Sequence, residues 1–301
     1  METSVKTQPQ YPIFIPTKGR YESNRTSRAL TSINVAHTLV VEPQEARQYA
    51  NLVGVENLLV TPHRDKGLSF TRNFIWDYAR DHGFKRFWTM DDNINNFYRY
   101  NRNLKVQVSD GSMLRAIETF TERYLNVPIA GMNYFMFAPR KSGGIQPFTL
   151  NTRVYSNMLI DTFATNPRGV PYRNVTYYND DTDLCIRVLK DGNCTILFNA
   201  FLIDKATTMT VKGGNTDDYQ GDGRYKMALE LQKAHPDITT ITRKWGRWQH
   251  LVDYRQFKRN KLIRRSGAKV EPGVDNFGMS LVKTSLPRSD KRKSKISRLT
   301  R

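Results

Sequence analysis

A run of oxygen ligands, Asp91, Asp92 and Asn93, comes directly after the apolar segment RFWTM. Carboxylate and amide oxygens suit Mg²⁺ or Mn²⁺, which take one or two carboxylates in proteins and then bridge to substrate phosphates. An Asp-Asp pair behind a strand is also a common helix cap or turn. The sequence therefore predicts either a site for a hard cation or a cap at this position.

A second acidic group crowds the start of a predicted helix in the segment NDDTDLCIR, where Asp180, Asp181 and Asp183 fall within four positions. A single acidic residue is enough to cap a helix and to interact with its dipole. Three carboxylates repel one another, so such crowding needs a cation, an arginine or a catalytic use. Arg187, one turn after Asp183, is the predicted intrahelical partner.

Alternating strands and helices position the first acidic group. The predicted strands are Tyr11–Pro16, His37–Val41, Asn57–Thr61 and Arg86–Met90, and the helices between them are Glu22–Ser32, Gln44–Val53 and Leu68–His82. Three such alternations predict a parallel sheet with crossover helices. Groups that do chemistry should then gather at the carboxyl ends of the strands.

The middle of the chain is less regular. We predict helices over Ser112–Leu125 and Asp181–Asp191, and strands near Pro128–Asn133, Thr149–Ile160 and Asn174–Tyr178. Further on, Trp245 and Trp248 lie three residues apart among basic residues. We interpret at least one of them as a core residue of a docking helix, and the alternative is stacking on nucleic-acid bases.

Composition and charge restrict the classes of protein that are possible. The chain has 301 residues with 39% hydrophobic and 25% charged residues, which is typical of a globular protein and excludes collagen, coiled coil and wholesale disorder. No apolar run is long enough for a membrane span, and the first residues do not resemble a signal peptide. Two cysteines, Cys185 and Cys194, fit a reducing compartment. We expect a cytoplasmic protein that is neither secreted nor bound to a membrane.

The net charge of +19 is concentrated toward the C-terminus, where 18 basic and 4 acidic residues follow Thr242. A mildly basic body with a strongly basic extension is typical of proteins that bind polyanions, because each neutralised phosphate releases counterions. Nucleic acid is the favoured partner, and the alternatives are a solubility tail or contact with an anionic membrane. The predicted phosphate contacts are Arg243, Lys244, Arg247, Arg288, Lys291, Arg292 and Lys293.

Several motifs in fixed order resemble nucleotide-sugar glycosyltransferases of the GT-A fold. These are IPTKGR, VVEP, GLSFTRN, the strand into MDDN, and DDTDLCIR. With VVEPQEARQY, WTMDDNI and the late KWGRWQH added, the order is most similar to the phage-type TET-associated DNA glycosyltransferases, which modify hydroxymethylated pyrimidines in DNA. The resemblance covers roughly residues 11–262 and implies a GT-A-like, mostly parallel α/β sheet flanked by helices.

The resemblance also implies roles for individual residues. It implies a nucleoside diphosphate sugar, most simply a UDP-sugar, as donor, with Mn²⁺ or Mg²⁺ as cofactor and 5-hydroxymethylcytosine in DNA as acceptor. Asp181 would be the base that takes the proton of the acceptor hydroxyl, in a group with Asp180 and Asp183. The metal site would comprise Asp92, Asp91 and Asn93. The donor would contact Pro16, Thr17, Arg20, Glu42, Arg72 and Asp91.

Beyond the resemblance, a structural role is favoured for His250, and the alternatives are a metal ligand and a phosphate contact. We expect a polar leader over residues 1–10, a catalytic domain over 11–242, a basic aromatic segment over 243–286 packed on or next to it, and a disordered basic tail over 287–301. Two other functions stay open at this stage: a non-catalytic DNA-binding protein whose acidic groups are caps, and a nuclease with two metal ions.

Overall fold

The computed structural model describes residues 7–101, 104–138, 145–163, 172–173, 179–206 and 221–268. The predicted strand Asn174–Tyr178 and the tail residues Arg288, Lys291, Arg292 and Lys293 lie outside the described residues. Among the helices described, none combines the length and the apolar composition required for crossing a membrane.

The first half of the chain forms four parallel strands with helices between them, as the alternation predicts. Strands β1 (Ile13–Pro16), β2 (Thr38–Val41), β3 (Leu58–Val60) and β4 (Arg86–Met90) alternate with helices α1 (Arg25–Ser32), α2 (Ala46–Val53) and α3 (Leu68–Asp81). The strand order is β3-β2-β1-β4, with parallel pairing throughout. The carboxyl ends of β1 and β4 are therefore neighbours at one edge of the sheet.

The second half extends this sheet with strands of mixed direction. Its elements are β5 (Ile94–Asn101), β6 (Leu104–Gln107), α4 (Ser112–Thr121), β7 (Ile129–Tyr134), β8 (Phe148–Leu150), β9 (Asn157–Asp161), α5 (Asp180–Lys190) and β10 (Thr195–Lys205). The order continues from β4 as β9-β7-β10-β5-β6, and β8 pairs with β10. The predicted strand Thr149–Ile160 is in fact two strands, β8 and β9, with Asn151 and Ser156 between them at positive φ angles.

Apolar cores lie on both faces of the sheet, because alternate residues of a buried strand point to opposite sides. In β1, Ile13 and Ile15 face the core formed with α1 and α4, whereas Phe14 faces the core formed with α3 and α5. A sheet covered on both faces leaves only its edges and strand ends for polar chemistry.

The start of β9 is fixed by a close approach to β7. The side chain of Asn157 accepts a hydrogen bond from the amide of Met132 at 2.5 Å and donates one to its carbonyl at 3.0 Å. Gly131 permits this approach, since a Cβ atom there would lie 2.1 Å from the carbonyl oxygen of Asn157. Because β9 runs antiparallel to β4, its first residues meet the end of β4, with Asn157 opposite Met90.

The chain after β10 forms α6 (Gly223–Ala234), an antiparallel hairpin of β11 (Thr239–Lys244) and β12 (Arg247–Val252), and a 3₁₀ turn (Tyr254–Arg259). Phe257, with Val252 and Tyr254, packs against residues of α5. The predicted domain boundary at residue 242 falls inside β11.

The predicted docking helix at Trp245 and Trp248 is wrong. Both residues lie in the β11–β12 hairpin, where Trp245 is 88% exposed and Trp248 is 41% exposed, so neither is a core residue.

Candidate active site

The centre of the site is Arg72, a nearly fully buried residue in the first half of α3. Its Nη1 atom donates to Asp180 at 2.8 Å and to Asp181 at 2.5 Å, and its Nη2 atom donates to Asp91 at 3.0 Å. One guanidinium thus joins the two acidic groups that are far apart in the sequence. A planar fork with five donors is suited to such multiple carboxylate contacts.

Lys205, the last residue of β10, provides a second cation. Its Nζ atom lies 2.6 Å from the second carboxylate oxygen of Asp91 and 2.7 Å from the hydroxyl of Ser156. The hydroxyl of Tyr134 is 2.6 Å from the same Ser156 oxygen. The backbone amide of Ser156 donates to Asp181 at 3.2 Å. Residues from the ends of β4, β7 and β10 and from the start of β9 therefore meet at one place.

Asp92 points to a different set of partners at the end of β1. The hydroxyl of Thr17 donates to Asp92 at 2.8 Å, and the guanidinium of Arg20 forms an ion pair with the same carboxylate. Thr26, in the first turn of α1, fixes the backbone of this loop: its hydroxyl donates to the carbonyl of Asp91 at 2.5 Å and accepts from the amide of Ile94 at 2.9 Å. The acidic strand end is held rigidly from both sides.

The charges of the cluster explain the pKa of Asp181. Three carboxylates, Asp91, Asp180 and Asp181, share two cations, Arg72 and Lys205. Burial disfavours ionisation of Asp91, but Lys205 and Arg72 outweigh it and hold the pKa of that carboxyl well below its ordinary value. Burial, together with the charges of Asp180 and Asp91, raises the pKa of Asp181 to about 7 despite Arg72. Asp181 can therefore exchange a proton near neutral pH.

Asp183 does not join this cluster, although it belongs to the same sequence motif. Its carboxylate is completely buried and accepts from Arg187 Nε at 3.0 Å, from His235 Nε2 at 2.8 Å and from Arg173 Nε at 3.1 Å. Burial opposes ionisation, but these partners lower the pKa of Asp183 to about 2. These contacts fix α5 against its neighbours, and the part of Asp183 in catalysis stays a prediction.

The other predicted donor residues lie at the carboxyl ends of β1 and β2. Pro16 ends β1, and the amide of Thr17 donates to the carbonyl of Val40 in β2 at 3.0 Å. Glu42 directly follows β2, is buried, and accepts from Lys18 at 2.8 Å and from Gln44 at 2.6 Å. These positions form a polar margin next to Asp92.

The residues that follow β4, Asp91 to Asn93, offer a limited set of ligands to a metal ion. Asp91 and Asp92 supply carboxylates, and the buried side-chain oxygen of Asn93 has no hydrogen-bond partner in the part of the chain that is described. Carboxylate and amide oxygens are the ligand types that a hard cation prefers. In this structure Arg72 and Lys205 hold the carboxylate of Asp91, whereas Thr17 and Arg20 hold that of Asp92. Within the described ranges, no three His, Cys, Asp or Glu side chains are grouped closely enough to hold a metal.

His250 belongs to the β11–β12 hairpin. It lies in β12 opposite Ile241, and burial, with a contribution from the charge of Arg153, lowers its pKa to about 4. The lowered pKa keeps the half-buried imidazole neutral at pH 7, and the role of His250 as a metal ligand stays a prediction.

Sequence reasoning missed Lys205, Ser156 and Tyr134. Lys205 ends the apolar strand TILFNAFLID, so the rule that functional groups follow strand ends could have identified it. Tyr134 ends β7, so the same rule applied to it. Ser156 carried no comparable signal, because its position depends on how β9 and β7 meet.

The α/β sheet carries these carboxylates and cations at its strand ends, and the sequence matches a known protein family. The match defines the class: the protein is a glycosyltransferase. The sequence profile of the TET-associated glycosyltransferases matches residues 11–214, which is more than half of the chain. The chain belongs to the TET-associated glycosyltransferase family.

A solved structure of a protein described as a nucleotide-diphospho-sugar transferase, from Desulfovibrio desulfuricans G20, has 9% sequence identity and a TM-score of 0.42, covering 75% of this chain and 96% of that chain. No curated protein is significantly similar to the chain in sequence.

Proposed function

We propose that the protein transfers a sugar from a nucleoside diphosphate donor, most simply a UDP-sugar, to the hydroxyl of a hydroxymethylated pyrimidine in DNA, with 5-hydroxymethylcytosine as the expected base. The observation that carries this proposal is the buried carboxyl of Asp181, whose pKa is about 7, in contact with Arg72 beside Asp91 and Lys205. A general base is most effective when its pKa lies near the working pH. DNA as acceptor implies a cytoplasmic location.

The reaction needs one base and one stabilised leaving group. The oxygen of the acceptor hydroxyl attacks the anomeric carbon of the sugar and forms the new C–O bond. The bond from that carbon to the diphosphate oxygen breaks, and its electron pair leaves with the nucleoside diphosphate. The hydroxyl proton passes to Asp181, whose orientation is fixed by Arg72 and by the amide of Ser156. Asp180 shares Arg72 and keeps the guanidinium in place.

The donor would bind along the carboxyl ends of β1, β2 and β4. Thr17, Arg20 and Glu42 would contact the nucleotide, and Arg72 with Asp91 would lie near the diphosphate. Mn²⁺ or Mg²⁺ would be held by Asp92, Asp91 and Asn93. Such a cation, when bound, offsets the charge that develops on the diphosphate. Calorimetric titration of Mn²⁺ with UDP into the wild type and into Asp92→Ala tests this assignment; equal metal affinity in both would contradict it.

The acceptor DNA would lie against the basic C-terminal part of the chain. Arg243, Lys244 and Arg247 are all exposed on the β11–β12 hairpin. Side chains of this kind bind phosphates without reading base edges. The basic tail beyond residue 286 would add further phosphate contacts.

The two competing functions fit the site less well. Capping explains only one of the contacts within α5, the hydrogen bond from the amide of Asp181 to Asp180 at 3.1 Å. Asp180 and Asp181 also accept from Arg72, and the partners of Asp183 are the side chains of Arg173, Arg187 and His235. A two-metal nuclease would use the two acidic groups for two cations. Here Arg72 lies between these groups instead.

One incubation separates the three functions. The protein is mixed with Mn²⁺ and a UDP-sugar, with and without hydroxymethylated DNA, and both UDP and DNA length are measured. A transferase releases UDP in proportion to the modified DNA and leaves the strands intact. Cleaved strands would indicate a nuclease, and binding without UDP release or cleavage would indicate a DNA-binding protein.

A further inference from the structure

The tip of the β11–β12 hairpin carries a tryptophan where the backbone disfavours one. Arg243 pairs with Trp248 and Lys244 pairs with Arg247, which leaves Trp245 and Gly246 as a two-residue turn. Their φ angles are 50° and 72°, so both are left-handed. Two-residue turns with positive φ at both central positions strongly prefer Asn-Gly or Asp-Gly. A bulky residue at the first position is a strained choice.

The ring of Trp245 is not needed for packing. At 88% exposure it is the most exposed large apolar side chain in the described part of the chain. Trp248 differs, because its ring packs edge-on against Tyr225 of α6 at 5.2 Å and lies 5.8 Å from the guanidinium of Arg243. A tryptophan that neither the core nor the turn requires indicates a ligand that accepts an aromatic ring.

The charge around the tip indicates the chemistry of that ligand. Residues 243–248 are all exposed and include three basic side chains but no acidic one. Over residues 239–268 the sequence has nine basic residues against the single acidic residue Asp253, which is paired with Arg255 at 2.6 Å. A polyanion that also offers flat aromatic faces fits both features, and nucleic acid has this combination.

The hairpin is attached to the helix that carries the proposed base. Val252, at the end of β12, and Tyr254 pack on the cluster of Ile186 and Leu189 from α5. The first turn of α5 contains Asp181. The base of the hairpin and the helix that carries Asp181 therefore belong to one packed unit.

We propose that Trp245 is a stacking wedge for duplex DNA. This inference rests on the proposed function. Trp245 enters the base stack beside the acceptor, and the flanking phosphates are bound by Arg243, Lys244 and Arg247. A hydroxymethyl group on a base inside a duplex is reached after the nucleotide is turned out of the helix. An apolar side chain that enters the vacated step stabilises the opened duplex.

The test compares duplex and single-stranded acceptors. Trp245→Asn removes the ring and supplies the Asn-Gly pair that this turn prefers, so the hairpin is retained. The same oligonucleotide, with one 5-hydroxymethylcytosine, is used as a duplex and as a single strand. We expect the ratio of duplex to single-strand kcat/KM to fall on the order of tenfold in Trp245→Asn, since stacking on one base is worth that factor or more. Trp248→Phe, which retains a ring against Tyr225, should keep the wild-type ratio.

A readout independent of transfer uses 2-aminopurine placed next to the acceptor in the duplex. Its fluorescence should rise when the wild type unstacks it, and the rise should be lost in Trp245→Asn. A wild-type ratio together with a wild-type fluorescence rise in Trp245→Asn would overturn the wedge. Failure of the wild type to modify either acceptor would instead overturn the proposed function, while the fluorescence still reports on the wedge.

Discussion

Replacing Arg72 by methionine should destabilise the protein strongly and in a pH-dependent manner. The substitution keeps much of the apolar stem and removes the charge from between Asp91, Asp180 and Asp181. Only 4% of the Arg72 side chain is exposed, and Asp180 is equally buried. Removing one partner of a buried ion pair typically costs about 3–5 kcal/mol, because the remaining charges stay buried without compensation. We expect a loss of this size in the free energy of unfolding at pH 8.

The pH dependence follows from the carboxylates that are left. Without Arg72 the pKa of Asp181 in the folded protein rises further above the value of about 3.9 for an unfolded Asp, because the guanidinium no longer opposes burial and the charges of Asp180 and Asp91. A carboxyl whose pKa is higher in the folded than in the unfolded protein takes up a proton more easily when folded. It therefore destabilises the folded state increasingly as the pH rises above about 4, and this destabilisation shrinks as the pH falls. The loss in Arg72→Met should therefore be clearly smaller at pH 5.5 than at pH 8.

Urea unfolding followed by tryptophan fluorescence at the two pH values measures both effects. Arg80→Met is the matched control, because Arg80 lies on the same helix α3, is half exposed and pairs with Asp77 at 2.7 Å. Such a surface pair is worth roughly 0.5 kcal/mol. A loss in Arg72→Met as small as that of the control, or one that is equal at both pH values, would refute the account of the cluster.

Three further predictions follow from the site and the sequence. The kcat/KM of the wild type should fall about tenfold per pH unit below pH 7, because the pKa of Asp181 in the free protein is about 7 and the ionised form is the base. Asp181→Asn should lose transfer by on the order of 10² or more, and loss of donor binding in a titration would instead assign Asp181 to the donor site. Asp183→Asn should lower the free energy of unfolding by roughly 3 kcal/mol at neutral pH. The difference in this free energy between wild type and variant should narrow as the pH falls from about 4 toward 2, where Asp183 of the wild type becomes protonated. An unchanged urea midpoint would contradict this. Deleting residues 287–301 should raise the KM for DNA and flatten its salt dependence with little change in kcat, and an unchanged slope would exclude DNA contact by the tail.

The parallel half of the sheet was predictable because its signals are local. Short apolar runs such as YPIFIP and RFWTM alternate with amphipathic segments, and only a parallel sheet with crossover helices fits that order. The position of Asp91 and Asp92 at a strand end followed directly. Their meeting with Asp180 and Asp181 around Arg72 did not follow from these patterns, because it depends on how α3 and α5 pack on the sheet.

Two features of the structure had signals that were overlooked. Residues two positions apart on a helix point in nearly opposite directions, so the separation of Asp183 from Asp181 was implied by the helix itself. The three-residue spacing of Trp245 and Trp248 favoured a helix, whereas Gly246 between polar flanks is a turn signal. By contrast, no local pattern predicts that Ser156 lies in the site, because its position depends on the close approach of β9 to Gly131.

The central claim is that the cluster around Arg72 catalyses sugar transfer to DNA with Asp181 as the base. Intact-nucleoside mass spectrometry of hydroxymethylated DNA, after incubation with a panel of nucleoside diphosphate sugars, tests it most directly. We predict that the wild type adds the mass of one sugar residue to the hydroxymethylpyrimidine nucleoside and that Asp181→Asn does not. Unmodified nucleosides with every donor, or equal modification by both proteins, would contradict the claim.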